Sequence, residues 1–167
     1  AVPIHPWHGA PLSPVGNPLL AGVGPGSYAN RADHVDYDLE GHARIRPLRK
    51  LPHIAISTID INPIGLDVIG ADGNKGGKVT DVWVDHMEMM IRYLELDANG
   101  NKVLLPINFS RIGQHEIQVQ SILSNQFSQV PKTKHPEEVT LLEEEKIMAY
   151  FGAGTLYATP ERQEPLA

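Results

Sequence analysis

The sequence predicts a mainly β fold: a small antiparallel barrel, preceded by an extended Pro/Gly-rich segment and followed by one C-terminal α-helix. Three observations carry this. Residues 76–107 read as three successive strands with period-two alternation. The 14 prolines and 15 glycines crowd toward the start of the chain, where they break regular helix and sheet. Thr140-Leu141-Leu142-Glu143 is a capping box at the head of a helical run. The expected organisation is an extended segment lying on another surface over 1–50, a β domain over 51–133, and a helix with its tail over 134–167.

Each element has its own warrant. Over residues 1–36, Pro3, Pro6, Pro11, Pro14, Pro18 and Pro25 forbid sustained helix. Trp7, Leu19, Leu20, Val23 and Tyr28 make a solvated linker a poor fit. A strip lying on another surface is expected, with plain disorder as the competing account. Arg44, Arg46, Arg49 and Lys50 form the one basic cluster. They suit contact with anionic lipid or acidic neighbours, and equally a solvated strand edge. Ile54, Ile56, Ile59 and Ile61 follow, then a strand over Leu66–Gly70 and a turn at Asp72-Gly73.

Lys78–Asp85 alternates, with Val82 and Val84 on one face and Asp81, Trp83 and Asp85 on the other. Ile91–Asp97 alternates again, and Val103–Ile107 is a short apolar run. Asn99-Gly100 marks the hairpin between them, because both residue types tolerate positive φ. Arg111-Ile112, the Gly113–His115 turn, and Ile117 with Val119 give a last hairpin. Residues 120–137 read as irregular. Glu143, Glu144 and Glu145 suit the first helical turn, where the helix dipole favours negative charge. Leu141, Met148 and Phe151 mark an apolar stripe, Gly152 and Gly154 the helix end, and the tail from Pro160 is expected to fray.

Composition excludes several functions. A net charge of −6 makes free nucleic acid a poor partner. The chain has no cysteine, so disulfides and thiolate metal sites are out. No apolar run reaches the ~20 residues of a membrane-spanning helix. The first residue is Ala1 within a Pro-rich run, which suggests a fragment or processed product. Gly73-Asn74-Lys75-Gly76-Gly77-Lys78 sits between strands and reads as a turn, not a phosphate loop. The histidines lack HxH or HxxxH spacing, which argues against a metal site. No nucleophile motif supports an enzyme.

The acid-rich edge is the chemical candidate. Asp81, Asp85, His86 and Glu88 lie close together in sequence. Clustered carboxylates raise one another's proton affinity, and imidazole titrates near neutrality. Such a group can collect protons from water and pass them on. On the residues alone, a charged rim that keeps the sheet edge soluble is the simpler account.

Several ordered runs resemble the H subunit family of the purple-bacterial photosynthetic reaction centre. They include Val23-Gly24-Pro25-Gly26-Ser27-Tyr28, Asn62-Pro63-Ile64-Gly65-Leu66, Gly77–Asp85, Arg92–Leu96 and Ser121-Ile122-Leu123-Ser124. Glu138–Ile147 and Gly154–Arg162 continue the likeness, which is collinear over nearly the whole chain. The family's transmembrane helix and the polar stretch after it are absent here, and Glu40 stands near a position where the family can carry a second histidine. The resemblance implies a PRC-barrel and an accessory subunit that is no enzyme and binds no cofactor or metal itself. Bacteriochlorophyll, bacteriopheophytin, quinones and non-haem iron are expected on the L and M subunits. This chain would cap their cytoplasmic face at the bacterial inner (chromatophore) membrane, stabilise the complex, shield the quinone sites and help deliver protons to the secondary quinone. Antenna polypeptides, anionic lipids and the missing transmembrane helix are further expected neighbours. The implied proton-transfer residues are Asp85 and Glu88, with Arg92 balancing charge, His42 at the entrance, and Asp81 by proximity. PRC-barrels that bind RNA in ribosome maturation are the alternative, with Arg44–Lys50 as the basic patch; the acidic charge opposes it.

Overall fold

A computed structural model describes residues 15–51 and 62–163, together with the backbone of 2–3 and 12–13. Strands β1 (Val2–Pro3) and β2 (Leu12–Ser13) pair with each other. The main sheet holds β3 (Ile45–Pro47), β4 (Asp67–Ile69), β5 (Lys75–Asp85), β6 (Met90–Ala98), β7 (Asn101–Pro106), β8 (Arg111–Ile112) and β9 (Glu116–Gln118). Its order is β7-β6-β5-β4-β9-β8, with β3 also on β5. The expectations for Trp7 and for Ile54–Ile61 lie outside the described residues.

The organising element is β5. Its first half pairs with β4, its second half with β3, and β6 runs along its length. Irregular register at Val79/Asp81 and Trp83/Val84 bends it, and a bulge adds local twist. The sheet therefore curls into a half-barrel. The β6–β7 hairpin closes at Asn99 and Gly100, with φ of 57° and 85°, as the dipeptide predicts. One pairing departs from the all-antiparallel expectation: β4 and β9 run parallel. The 70–115 connection allows this, because it is long enough to cross over.

The alternation in β5 predicts one wet face, yet Asp81, Val82, Trp83, Val84 and Asp85 are all buried. The 3-10 turns at residues 48–50 and 124–129 pack on β5 and supply the missing cover, while β3 extends the sheet along its end. Residues 18–20 and 24–26 form short 3-10 turns on helix α1 (Leu141–Tyr157). Leu19 and Val23 are buried, so part of the Pro-rich strip packs on this chain's own body.

Helix α1 starts as expected. Thr140 Oγ1 accepts from the Glu143 N–H at 3.1 Å, and Glu143 Oε1 accepts from the Thr140 N–H at 2.9 Å. It does not stop at Gly152 or Gly154 but continues to Tyr157. A Cβ on Gly152 would sit 2.6 Å from the Pro25 carbonyl oxygen, and one on Gly154 2.3 Å from that of Ser121. Both glycines serve close backbone approach rather than termination. The buried stripe is Ile147, Tyr150, Phe151 and Gly154, whereas Leu141 and Met148 stay partly exposed. Phe151 meets Phe109, Phe127 and Tyr150 at centroid distances of 5.7–6.2 Å, the range of favourable aromatic pairs. The segment after the helix is held instead of fraying: Arg162 donates to the carbonyls of Ser121, Gly154 and Gln120.

Candidate functional site

The acid edge resolves into two clusters on the same strand. At the end of β5, Asp85 has a fully buried side chain. Its Oδ2 accepts from Arg44 Nε at 2.8 Å, and its Oδ1 accepts from the Met87 and Glu88 N–H groups at 3.0 and 3.2 Å. The hairpin turn thus wraps a buried carboxylate in donors. Arg44 also reaches Glu88, Nη2 to Oε1 at 2.9 Å. Glu88 is half exposed, and Arg92 Nη1 stands 4.0 Å from both Asp85 and Glu88. An exposed carboxylate and a buried one are joined by a single guanidinium. Arg44, the residue just before β3, is a closer counter-charge than the expected Arg92.

A cleft of about 540 Å³ opens on this cluster, lined by Arg44, Asp85, Arg92, Tyr93 and Glu144 among others. Tyr93 Oη donates to Glu144 Oε1 at 2.7 Å. Burial pushes the Glu144 carboxyl above its ordinary value, against the Tyr93 hydrogen bond and the Arg92 charge. Burial and the neighbouring Glu144 also push the Tyr93 phenol up. Sequence reasoning assigned Glu144 to the helix dipole alone. Its place opposite β6 depends on tertiary packing, which no local pattern reports.

His42 is exposed, with Nδ1 3.8 Å from Asp38 and 3.7 Å from Glu40. It joins the first cluster only through the neighbouring turn, where Asp38 contacts His86.

Asp81 belongs to the second cluster. Arg49 Nη1 bridges Asp81 Oδ2 and Glu95 Oε1, each at 2.9 Å. Glu95 accepts from Thr80 Oγ1 at 2.6 Å and Trp83 Nε1 at 3.2 Å, and Lys102 lies 3.3 Å away. Burial opposes ionisation of Glu95, but the Thr80, Arg49 and Trp83 hydrogen bonds and the Arg49 charge outweigh it and hold the carboxyl below its ordinary value. Asp81 and Glu95 are cross-strand partners on β5 and β6, in a register set by the irregularity at Trp83/Val84 that no turn motif announces.

The basic cluster is largely spent on these acids. Arg44 and Arg49 bind carboxylates, and Lys50 lies 3.3 Å from Glu137. That leaves Arg46 as the one member of the cluster without a carboxylate partner among the described residues. Among the described residues, no three His, Asp or Glu side chains are arranged to hold a metal, and no helix is long and apolar enough to cross a membrane.

Two family models match the chain. Residues 1–50 match the photosynthetic reaction centre H-chain N-terminal region, and residues 61–126 match the PRC-barrel domain. The second match covers β4 to β9, the curled sheet described above. In the first lie Arg44 and Arg49, which reach across to the barrel's carboxylates. With both regions in order along one chain, this polypeptide belongs to the H-chain family of the photosynthetic reaction centre, a structural subunit of that membrane-associated complex built on a PRC-barrel.

Proposed function

We propose that the chain caps the cytoplasmic face of the L and M subunits at the chromatophore membrane, shields their quinone sites, and passes protons toward the secondary quinone. Pigments, quinones and iron stay on the partners. A quinone reduced by two electrons must take up two protons, and uncompensated charge in a dry interior costs several kcal/mol per ion. The cover over such a site therefore needs titratable groups that lead inward.

The observation that carries this is the Arg44-bridged pair of Asp85, fully buried, and Glu88, half exposed. Glu88 meets solvent, Asp85 leads inward, and Arg44 with Arg92 balances the charge. His42 stands at the mouth. Asp81 has a different part in this scheme: with Arg49 and Glu95 it ties the leading segment to the barrel. Exposed Met87, Met89 and Leu39 sit in the two neighbouring turns beside the cluster, and exposed Met90 opens β6 next to them. A patch of exposed apolar side chains rimmed by polar ones suits a covering protein.

Stripping the subunit from reaction centres and adding it back tests the proposal. Transfer of the second electron to the secondary quinone should slow on removal and recover on re-addition, while primary charge separation persists. An unchanged second-electron rate after complete removal contradicts it.

A further inference from the structure

His86 directly follows Asp85, in the turn between β5 and β6. Its Nδ1 lies 2.9 Å from the Arg44 carbonyl oxygen, and its Nε2 lies 2.9 Å from Asp38 Oδ2. A carbonyl oxygen only accepts, and so does an ionised carboxylate. The His42 backbone N–H, aided by His86 and the Glu40 N–H, holds the Asp38 carboxyl below its ordinary range against burial. A neutral imidazole would aim one lone pair at an oxygen here. The arrangement fits a ring that carries both protons.

Asp38 Oδ1 is occupied by the Glu40 and His42 N–H groups, each at 2.9 Å. That leaves Oδ2 for two imidazoles: His86 at 2.9 Å and His42 at 3.8 Å. The His86 side chain is 20% exposed and that of His42 55%. One carboxylate oxygen therefore stands between an inner ring and an outer ring.

We propose that His86, paired with Asp38, is the proton-loading residue of the route. This rests on the proton-delivery reading above. At rest the ring holds two protons. On release, the Nε2–H bond breaks, an O–H bond forms at Asp38 Oδ2, and the neutral ring keeps its Nδ1–H on the Arg44 carbonyl. The proton moves on to the carboxylates of the adjoining turn, Asp85 and Glu88, and Asp38 returns to its ionised form. His42 relays the replacement proton from water. The charged groups around the ring are Asp38, Glu40 and His42 on one turn, and Arg44, Asp85 and Glu88 on the other side. Imidazole suits this task because it gains and loses a proton near neutral pH, which guanidinium does not.

The test uses assembled reaction centres with the intact subunit carrying His86→Gln, His86→Arg or Asp38→Asn. Gln keeps a donor and an acceptor but cannot carry the extra proton, and Arg keeps charge without titrating. All three variants should slow proton-coupled second-electron transfer by about tenfold, since a positioned proton-transfer group is worth on the order of 10²-fold and neighbouring carboxylates share the load. Added imidazole should restore the rate in His86→Gln, and primary charge separation checks that each complex is assembled. Normal rates in His86→Gln and Asp38→Asn, with Asp85→Asn slow, overturn the role of His86 and leave the delivery reading standing. Normal rates in all of these, Asp85→Asn included, sink that reading as well. A normal rate in His86→Arg, with His86→Gln slow and not rescued by imidazole, reduces His86 to a fixed charge and also overturns the proposal.

Discussion

Replacing Arg49 with Ala should be the most damaging single change to the barrel outside its apolar core. Arg49 Nη1 lies 2.9 Å from both Asp81 and Glu95, whose side chains are 7% and 3% exposed. Without it, two buried carboxylates face each other across the β5–β6 ladder. Breaking a buried ion pair from one side costs about 3–5 kcal/mol. The lower end applies, because Arg49 is 36% exposed and Lys102 remains 3.3 Å from Glu95. A loss of about 3 kcal/mol is expected in urea unfolding followed by circular dichroism, or about 6–12 °C in Tm for a chain of this size. The loss should depend on pH. In the native chain the Glu95 carboxyl is held low, so its stabilisation is present above the unfolded pKa of roughly 4.3 and is lost as pH falls through the folded value. Without Arg49, burial dominates and the carboxyl resists ionisation. The variant's deficit is then largest near pH 7 and shrinks as acid protonates the pair. Arg49→Met combined with Asp81→Asn and Glu95→Gln should recover most of the loss. A deficit under about 1 kcal/mol, typical of an exposed ion pair, or one that stays constant from pH 7 to pH 4, would refute this reasoning.

Two further substitutions test the packing and the cleft. Gly154→Ala in an exposed helix interior would add about 1 kcal/mol of stability, but here the new methyl meets the Ser121 carbonyl at 2.3 Å and Ile122 Cγ2 at 2.5 Å. A net loss of about 1–3 kcal/mol is expected, and a rise in Tm would contradict the close-approach role. Glu144→Gln keeps an acceptor for Tyr93 and removes a charge that burial disfavours. A carboxyl raised in the folded state costs stability once pH exceeds its unfolded pKa. The variant should therefore gain on the native chain at pH 7 but not at pH 4, and equal urea midpoints at both pH values would oppose the assignment.

Local patterns carried much of the fold. Alternation located β5 and β6, a short apolar run located β7, Asn99-Gly100 fixed the β6–β7 hairpin, and Thr140 with Glu143 fixed the start of α1. Failures came where a distant segment decides the outcome. The second face of β5 is buried because the turns at residues 48–50 and 124–129 pack on it. Gly152 and Gly154 read as helix breakers until Pro25 and Ser121 occupy the space of their missing side chains. The site follows the same division. Asp85, Glu88 and Arg92 share one hairpin, so their proximity was legible. Arg44 pairs with Asp85 across 41 residues, His86 with Asp38 across 48, and Tyr93 with Glu144 across 51. Only the folded chain brings those partners together.

The most direct measurement is flash-induced electron transfer in assembled complexes whose subunit carries Asp85→Asn and Glu88→Gln. If this chain feeds protons inward through its buried carboxylate, the first electron reaches the secondary quinone at its usual rate and the second, proton-coupled electron is delayed. Two flashes that give native kinetics on both electrons would show that protons arrive by another path.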